Sequence, residues 1–192
     1  MPNKGFLLVL MQPPGELEEE FNDWYDTDHI PERLGVPGFE TGRRFVCLDG
    51  WPRYLALYDL SDLAVLDTPA YQRVAGDNQT AWTRRILRRV RVTRVVGTQH
   101  FPGDCITSDA PRLLLLRFRN TTAQDEAPLL AGLHANFLNR PNTVQIRLLA
   151  GDSAAHFALI ESRLPFAPAT LDLEAFGPVA DRLDLINSYA RM

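Results

Sequence analysis

The chemistry of this sequence is concentrated in one run: Phe21-Asn22-Asp23-Trp24-Tyr25-Asp26-Thr27-Asp28-His29-Ile30-Pro31-Glu32-Arg33. On a helix, Phe21, Trp24, Tyr25, Asp28 and His29 fall on one face, at the i, i+3, i+4, i+7 and i+8 positions. Pro31 disfavours helix at Ile30, so the helix is expected to stop near His29. A macrodipole favours a protonated imidazole at a helix C-terminus, and carboxylates at Asp26 and Asp28 push the same way. A histidine so placed titrates near neutral pH and can serve as general acid or base. Tyr25 can donate a hydrogen bond to a carbonyl or oxyanion, while Trp24 and Phe21 offer apolar walls.

Each residue also has a plainer role. His29 could do no more than satisfy the last helical carbonyls, Trp24 could be core, and Tyr25 could be an amphipathic rim residue. Asp26 and Asp28 read as solvated, unless one of them orients the imidazole of His29. A metal site from Asp26, Asp28, His29 and Glu32 is disfavoured, because these residues do not share a helical face and no second histidine lies nearby. Neither a metal nor a cofactor is expected. Arg43 and Arg44 are adjacent on a strand, so one of them faces the inner side of the sheet and could hold a carboxylate or phenolate. Tyr71 and Trp82 are further candidates for a lid or wall.

The elements around this segment follow an order that occurs twice. Gly5 to Met11 reads as a buried strand, and Glu16 to His29 as a helix. Phe39 to Leu48 and Arg53 to Leu60 are strands joined by a turn at Asp49-Gly50-Trp51-Pro52. Helical pieces follow from Asp62 to Arg73, and Arg89 to Gly97 alternates like a half-exposed strand. After a polar linker, the order restarts with a strand at Arg112 to Arg119 and a helix from Thr122 to Leu138. Strands at Thr143 to Ala150 and Ala154 to Arg163, a helix near Leu171 to Ala180 and a strand near Leu183 to Ser188 complete it. The expectation is an α+β fold of two tandem ferredoxin-like (β-α-β-β-α-β) repeats, residues 1–101 and 112–192, with a linker at 102–111. Each sheet would leave one apolar face bare, and two such faces packed together make an α+β barrel.

Composition narrows the partners. The net charge of −4 gives no general footprint for nucleic acid or anionic membrane. Nineteen of the twenty basic residues are arginine. The run Arg84-Arg85-Ile86-Leu87-Arg88-Arg89 lacks interleaved aromatics and reads as a solvated helix end and strand edge. Cys47 and Cys105 suit neither a disulfide framework nor a metal spacing, so a reducing cytoplasm is the default compartment. The apolar run from Phe6 to Met11 is too short for a signal core or a membrane span.

The stretch FNDWYDTDHIPERLGVPGF, followed by RYLALYDLSD and then TPAYQRV, resembles the EthD-like branch of the dimeric α+β barrel superfamily. The resemblance covers roughly Gly5 to His100. It implies that His29 points into a cavity between helices and sheet, with Trp24 and Tyr25 from the same helix beside it. The wider superfamily includes cofactor-free cyclases and dehydratases, monooxygenases, muconolactone-isomerase-like enzymes and haem-handling proteins. The second repeat departs from the pattern. Its helix has only Leu133-His134-Ala135-Asn136-Phe137, and His134 lies within about one residue of the slot matching His29. It reads as a diverged second site or as scaffold that closes the barrel.

The functional expectation is a cofactor-independent enzyme of dehydratase, cyclase, isomerase or monooxygenase type. It would act on a small hydrophobic, aromatic or polyketide-like molecule, with His29 as general acid or base. The alternatives are a non-catalytic holder of a hydrophobic metabolite or haem, and a protein whose tandem fold serves assembly alone. The repeats could pair within one chain or between the chains of a homodimer.

Overall fold

The computed structural model describes residues 3–192. Its eight strands are β1 (Gly5–Gln12), β2 (Phe39–Cys47), β3 (Tyr54–Leu60), β4 (Arg91–Phe101), β5 (Arg112–Arg119), β6 (Thr143–Gly151), β7 (Ala155–Ser162) and β8 (Leu183–Arg191). They form a closed barrel in the order β1-β3-β2-β8-β5-β7-β6-β4, with every neighbouring pair antiparallel. Within that ring β4-β1-β3-β2 and β8-β5-β7-β6 have the same internal order, and the seams are β2–β8 and β4–β6. The barrel therefore closes within one chain.

Strand β1 shows why its sequence is apolar at every position. Phe6, Leu8 and Leu10 point into the barrel, where they meet Phe45, Leu57, Leu115, Phe157 and Tyr189 from both halves. Leu7, Val9 and Met11 point outward onto the helices of the first half. A strand buried on both faces loses the alternation of a half-exposed one. The barrel is filled by side chains and is no channel. At the β4–β6 seam a Cβ on Gly97 would lie 1.9 Å from the Ala150 carbonyl oxygen, so only glycine permits this pairing.

The helices lie outside the barrel. The first half carries α1 (Glu18–Trp24), α2 (Ile30–Leu34), α3 (Pro69–Gln72) and α4 (Ala81–Leu87); the second carries α5 (Glu126–Leu133) and a 3₁₀ segment, Glu174–Arg182, kinked at Gly177. No helix among the described residues is long and apolar enough to cross a membrane.

The helix expected to stop at His29 does not stop there. It widens into a π-turn over Tyr25–His29 and continues as α2 to Leu34. Pro31 lacks an N–H and would press on the carbonyl four residues back. The π-turn inserts an extra residue just before it, with the Ile30 N–H bonded to the Tyr25 carbonyl, so the chain passes the proline without breaking. The matching helix of the second half also ends in a π-turn, His134–Leu138.

Candidate functional site

The π-turn determines what His29 touches. At its wider spacing residues five apart overlie one another, and the His29 ring lies 4.4 Å from the Trp24 ring, tilted by 32°. Tyr25 meets the same imidazole edge-on at 5.3 Å. Trp24 is fully buried and anchored by a 3.0 Å hydrogen bond from its indole N–H to Thr83 Oγ1. Asp28 accepts from Thr80 Oγ1 at 3.2 Å, and Asp26 pairs with Arg44 at 2.6 Å. Neither carboxylate reaches His29.

The imidazole therefore behaves differently from the sequence expectation. Burial, assisted by the Arg33 guanidinium, lowers the His29 pKa to about 3. The ring is neutral at physiological pH, because the helix terminus and carboxylate contacts that would have favoured its cation are absent. Its Nδ1 is enclosed and has no hydrogen-bond partner.

His29 lines a chamber of about 90 Å³ between the helices and the outer face of the first-half sheet. Tyr25, Arg33, Tyr58, Tyr71, Gln79 and Arg94 contribute its polar and aromatic groups, and Leu7, Val9 and Met11 form its floor. Tyr71, Gln79 and Arg94 also line an outer groove of about 580 Å³, so they stand where the two spaces meet. The Tyr25 hydroxyl donates to Met11 Sδ at 3.1 Å, and the fully buried Tyr58 hydroxyl lies beside it without a hydrogen bond of good geometry. Burial raises the pKa of both phenols, so both stay protonated. Arg33 is buried, donates to the Val74 carbonyl at 2.8 Å and stacks over the Tyr71 ring at 5.4 Å. Arg94 is exposed and forms no ion pair among the described residues.

Of the residues singled out in sequence, Tyr25, His29 and Tyr71 come together at this chamber. The others support it or lie elsewhere. Phe21 packs between Trp24, Tyr25 and Tyr54, and Trp24 backs His29 from behind. Trp82 donates its indole N–H to Glu20 at 2.9 Å. Arg44 does turn toward the helices, yet it lies over the Tyr25 ring at 4.5 Å and is consumed by Asp26 and Asn22. Arg43 pairs with Asp109 of the linker at 3.1 Å. His134 is the first residue of its π-turn, the register held by Tyr25 in the other half, and it packs on Phe101. The basic run is exposed at Arg84, Arg85, Arg88 and Arg89, with Arg85 on Glu20 and Arg89 on Glu16.

Arg33, Tyr58, Gln79 and Arg94 were missed as site residues. Arg33 carried a signal, since it sits four residues after His29 on a helix that passes the proline. Tyr58 and Arg94 project from β3 and β4 beside Leu7 and Val9 of β1, a register that only the strand pairing reveals.

No family model and no curated protein matches this chain. Solved structures do. An anthrone oxidase-like protein superposes with a TM-score of 0.73 at 13% identity, over 100% of this chain and 92% of that one. A proposed monooxygenase from Lactobacillus acidophilus gives 0.59 at 7% identity, over 98% and 94%. A haem-binding protein from Thermus thermophilus gives 0.57 at 11%, over 100% and 92%. At such identities the likeness is one of fold: the chain shares the α+β barrel of these proteins over more than nine-tenths of their length.

Proposed function

We propose that the chamber beside His29 is the active site of an enzyme that moves a proton on a small, planar, oxygen-bearing aromatic or polyketide-like molecule. One observation carries this reading. A neutral imidazole with an enclosed, partnerless nitrogen and an unpaired buried phenol share one chamber with a buried guanidinium. Buried polar groups without partners are rare in native proteins, and a ligand oxygen that supplies the missing bonds accounts for them.

The chemistry follows from the charges. An imidazole with so low a pKa is a weak base in the free protein, and it becomes stronger when an anion forms beside it. A C–H or O–H proton of the ligand would pass to His29 while the electron pair withdraws onto the ligand oxygen as an enolate or phenolate. Arg33 and the Tyr25 and Tyr58 hydroxyls would hold that oxygen. Return of the proton to a different atom completes an isomerisation or cyclisation; return to a departing hydroxyl completes a dehydration. A monooxygenase reaction would need dioxygen as co-substrate. The structural likeness to an anthrone oxidase-like protein supports an aromatic ketone as ligand. The roughly 90 Å³ beside His29 favours the edge of a planar ring system over a porphyrin.

We further propose that residues 1–101 and 112–192 are tandem ferredoxin-like repeats of the EthD-like branch, joined by residues 102–111. The equal strand order of the two halves and the sequence run around His29 support this assignment.

The test uses anthrone as probe, incubated aerobically with the protein while its absorbance is followed. Turnover is expected, with His29→Gln slowing it by about 10²–10⁴-fold. An unchanged rate in that variant would sink the catalytic role of His29, and saturable binding without turnover would mark the protein as a carrier.

A further inference from the structure

A second constellation bridges the two halves near the β4–β6 seam, away from the chamber. His100 from the end of β4, Glu126 from the first turn of α5 and His156 from the start of β7 place one ligating atom each within 4.8 Å of one another. We propose that these three side chains form a binding site for a divalent transition-metal ion of the zinc or cobalt class.

Three features support a built site. First, each imidazole is aimed. His100 Nε2 bonds Thr98 Oγ1 at 3.1 Å and His156 Nδ1 bonds Thr121 Oγ1 at 2.9 Å, which leaves His100 Nδ1 and His156 Nε2 turned toward Glu126. Hydrogen bonds on the far nitrogen are the usual means of orienting a metal-binding histidine. Second, His156 is only 4% exposed, and its Nε2 is enclosed with no hydrogen-bond partner, 3.7 Å from Glu126 Oε1. A buried nitrogen left without a partner of good geometry is one that a ligand can satisfy. Third, the pairing of β4 with β6 shifts register between Gln99 and Phe101, so His100 is the bulged residue. Bulges re-aim a side chain at the cost of ladder pairing.

The spacing suits the ion. Tetrahedral zinc with bonds of ~2.0–2.1 Å holds its ligand atoms about 3.3–3.4 Å apart. The distances to Glu126 Oε1 of 2.7 Å from His100 Nδ1 and 3.7 Å from His156 Nε2 bracket that value. Two imidazoles and one carboxylate, with no thiolate, select borderline ions over calcium or magnesium. His100 and Glu126 are half-exposed, so water or a solute would fill the fourth position.

The experiment is a titration of chelator-treated, full-length protein with Zn²⁺ by calorimetry and with Co²⁺ by visible absorption. A single saturable site is expected, with d–d bands of a four-coordinate cobalt centre and a rise in Tm on zinc addition. His100→Ala and Glu126→Gln should abolish all three signals. Thr98→Val, which leaves the ligands in place and so guards against a folding artefact, should weaken zinc by roughly 10-fold or more. His29→Gln, at the chamber, should leave zinc affinity unchanged. Absence of saturable binding, or binding that survives both His100→Ala and Glu126→Gln, would overturn the proposal and leave a hydrogen-bonded His–Glu–His cluster.

Discussion

The indole of Trp24 and the imidazole of His29 overlie each other at 4.4 Å, five residues apart on a helix that widens for one turn. An ordinary α-helix would have turned His29 away from that ring. The π-turn thus does two things at once: it carries the helix past Pro31, and it sets the imidazole in a buried place beside Arg33, where its cation is disfavoured.

The first prediction concerns that titration. In the free protein the His29 imidazole should show no protonation step between pH 5 and 8 by NMR, titrating only near about 3. The unfolded chain takes up a proton near the ordinary value of 6.5 and the folded chain does not. Stability is therefore full above about 6.5 and falls as pH drops toward about 3, by up to about 1.4 kcal/mol per pH unit. His29→Leu should flatten that slope in chemical denaturation series. A His29 resonance titrating near neutrality would contradict the burial argument.

The second concerns Tyr58. Its buried hydroxyl has only the Tyr25 hydroxyl beside it and no hydrogen bond of good geometry, so Tyr58→Phe should leave stability unchanged or raise it by about 1 kcal/mol. The same change should weaken binding of an oxygen-bearing aromatic ligand such as anthrone by about 1–3 kcal/mol. Opposite signs in thermal unfolding and ligand titration would identify a hydroxyl reserved for a ligand. A loss of stability would mean that the hydroxyl is already satisfied.

How much of this was legible in the sequence depended on the range of the interaction. The strands and the turn at Asp49-Gly50-Trp51-Pro52 were legible because they rest on local periodicity and turn chemistry. The helix face joining Tyr25 and His29 was legible for the same reason. The continuation of the helix past Pro31 was not, since a single-residue insertion leaves the apolar pattern nearly unchanged. Arg44 was misread because its neighbour Asp26 lies on another element, and no periodicity reports that pairing. The cluster of His100, Glu126 and His156 joins residues 26 and 30 positions apart, through three elements that meet only once the barrel closes.

The third prediction is set at the mouth. Arg94 stands exposed between groove and chamber without an ion-pair partner among the described residues. Arg94→Gln should leave Tm within about 0.5 kcal/mol of the parent in free-energy terms, as surface changes do. It should slow association of an anionic ligand and flatten the salt dependence of that rate, because rim charges act chiefly on encounter. Stopped-flow measurements at low and high salt decide it; an unchanged association rate would remove Arg94 from the entry path.

The fourth rests on the polar end of the barrel. Arg147 of β6 donates to Asp59 of β3 at 2.7 Å and pairs with Glu161 of β7 at 3.2 Å, all three almost fully buried. The contact joins strands from the two halves, and the linker contributes the backbone N–H of Thr107 to Asp59 at 2.7 Å. Burial alone would raise the Asp59 pKa. The Arg147 charge, with hydrogen bonds from Thr41 and Thr107, outweighs it and holds the carboxyl below the ordinary range. This contribution is present above the unfolded carboxylate pKa and is lost as pH falls through the folded one. Acid should therefore weaken this contact between the halves. Arg147→Met leaves two buried carboxylates without their cation and should cost about 3–5 kcal/mol; Asp59→Asn removes the charge and turns an amide NH2 against either Arg147 or the Thr107 N–H, both donors, so it too should destabilise. Urea denaturation at pH 7 and pH 4 distinguishes the outcomes. Equal stability of Arg147→Met and the parent at pH 7 would show that this buried pair does not hold the halves together.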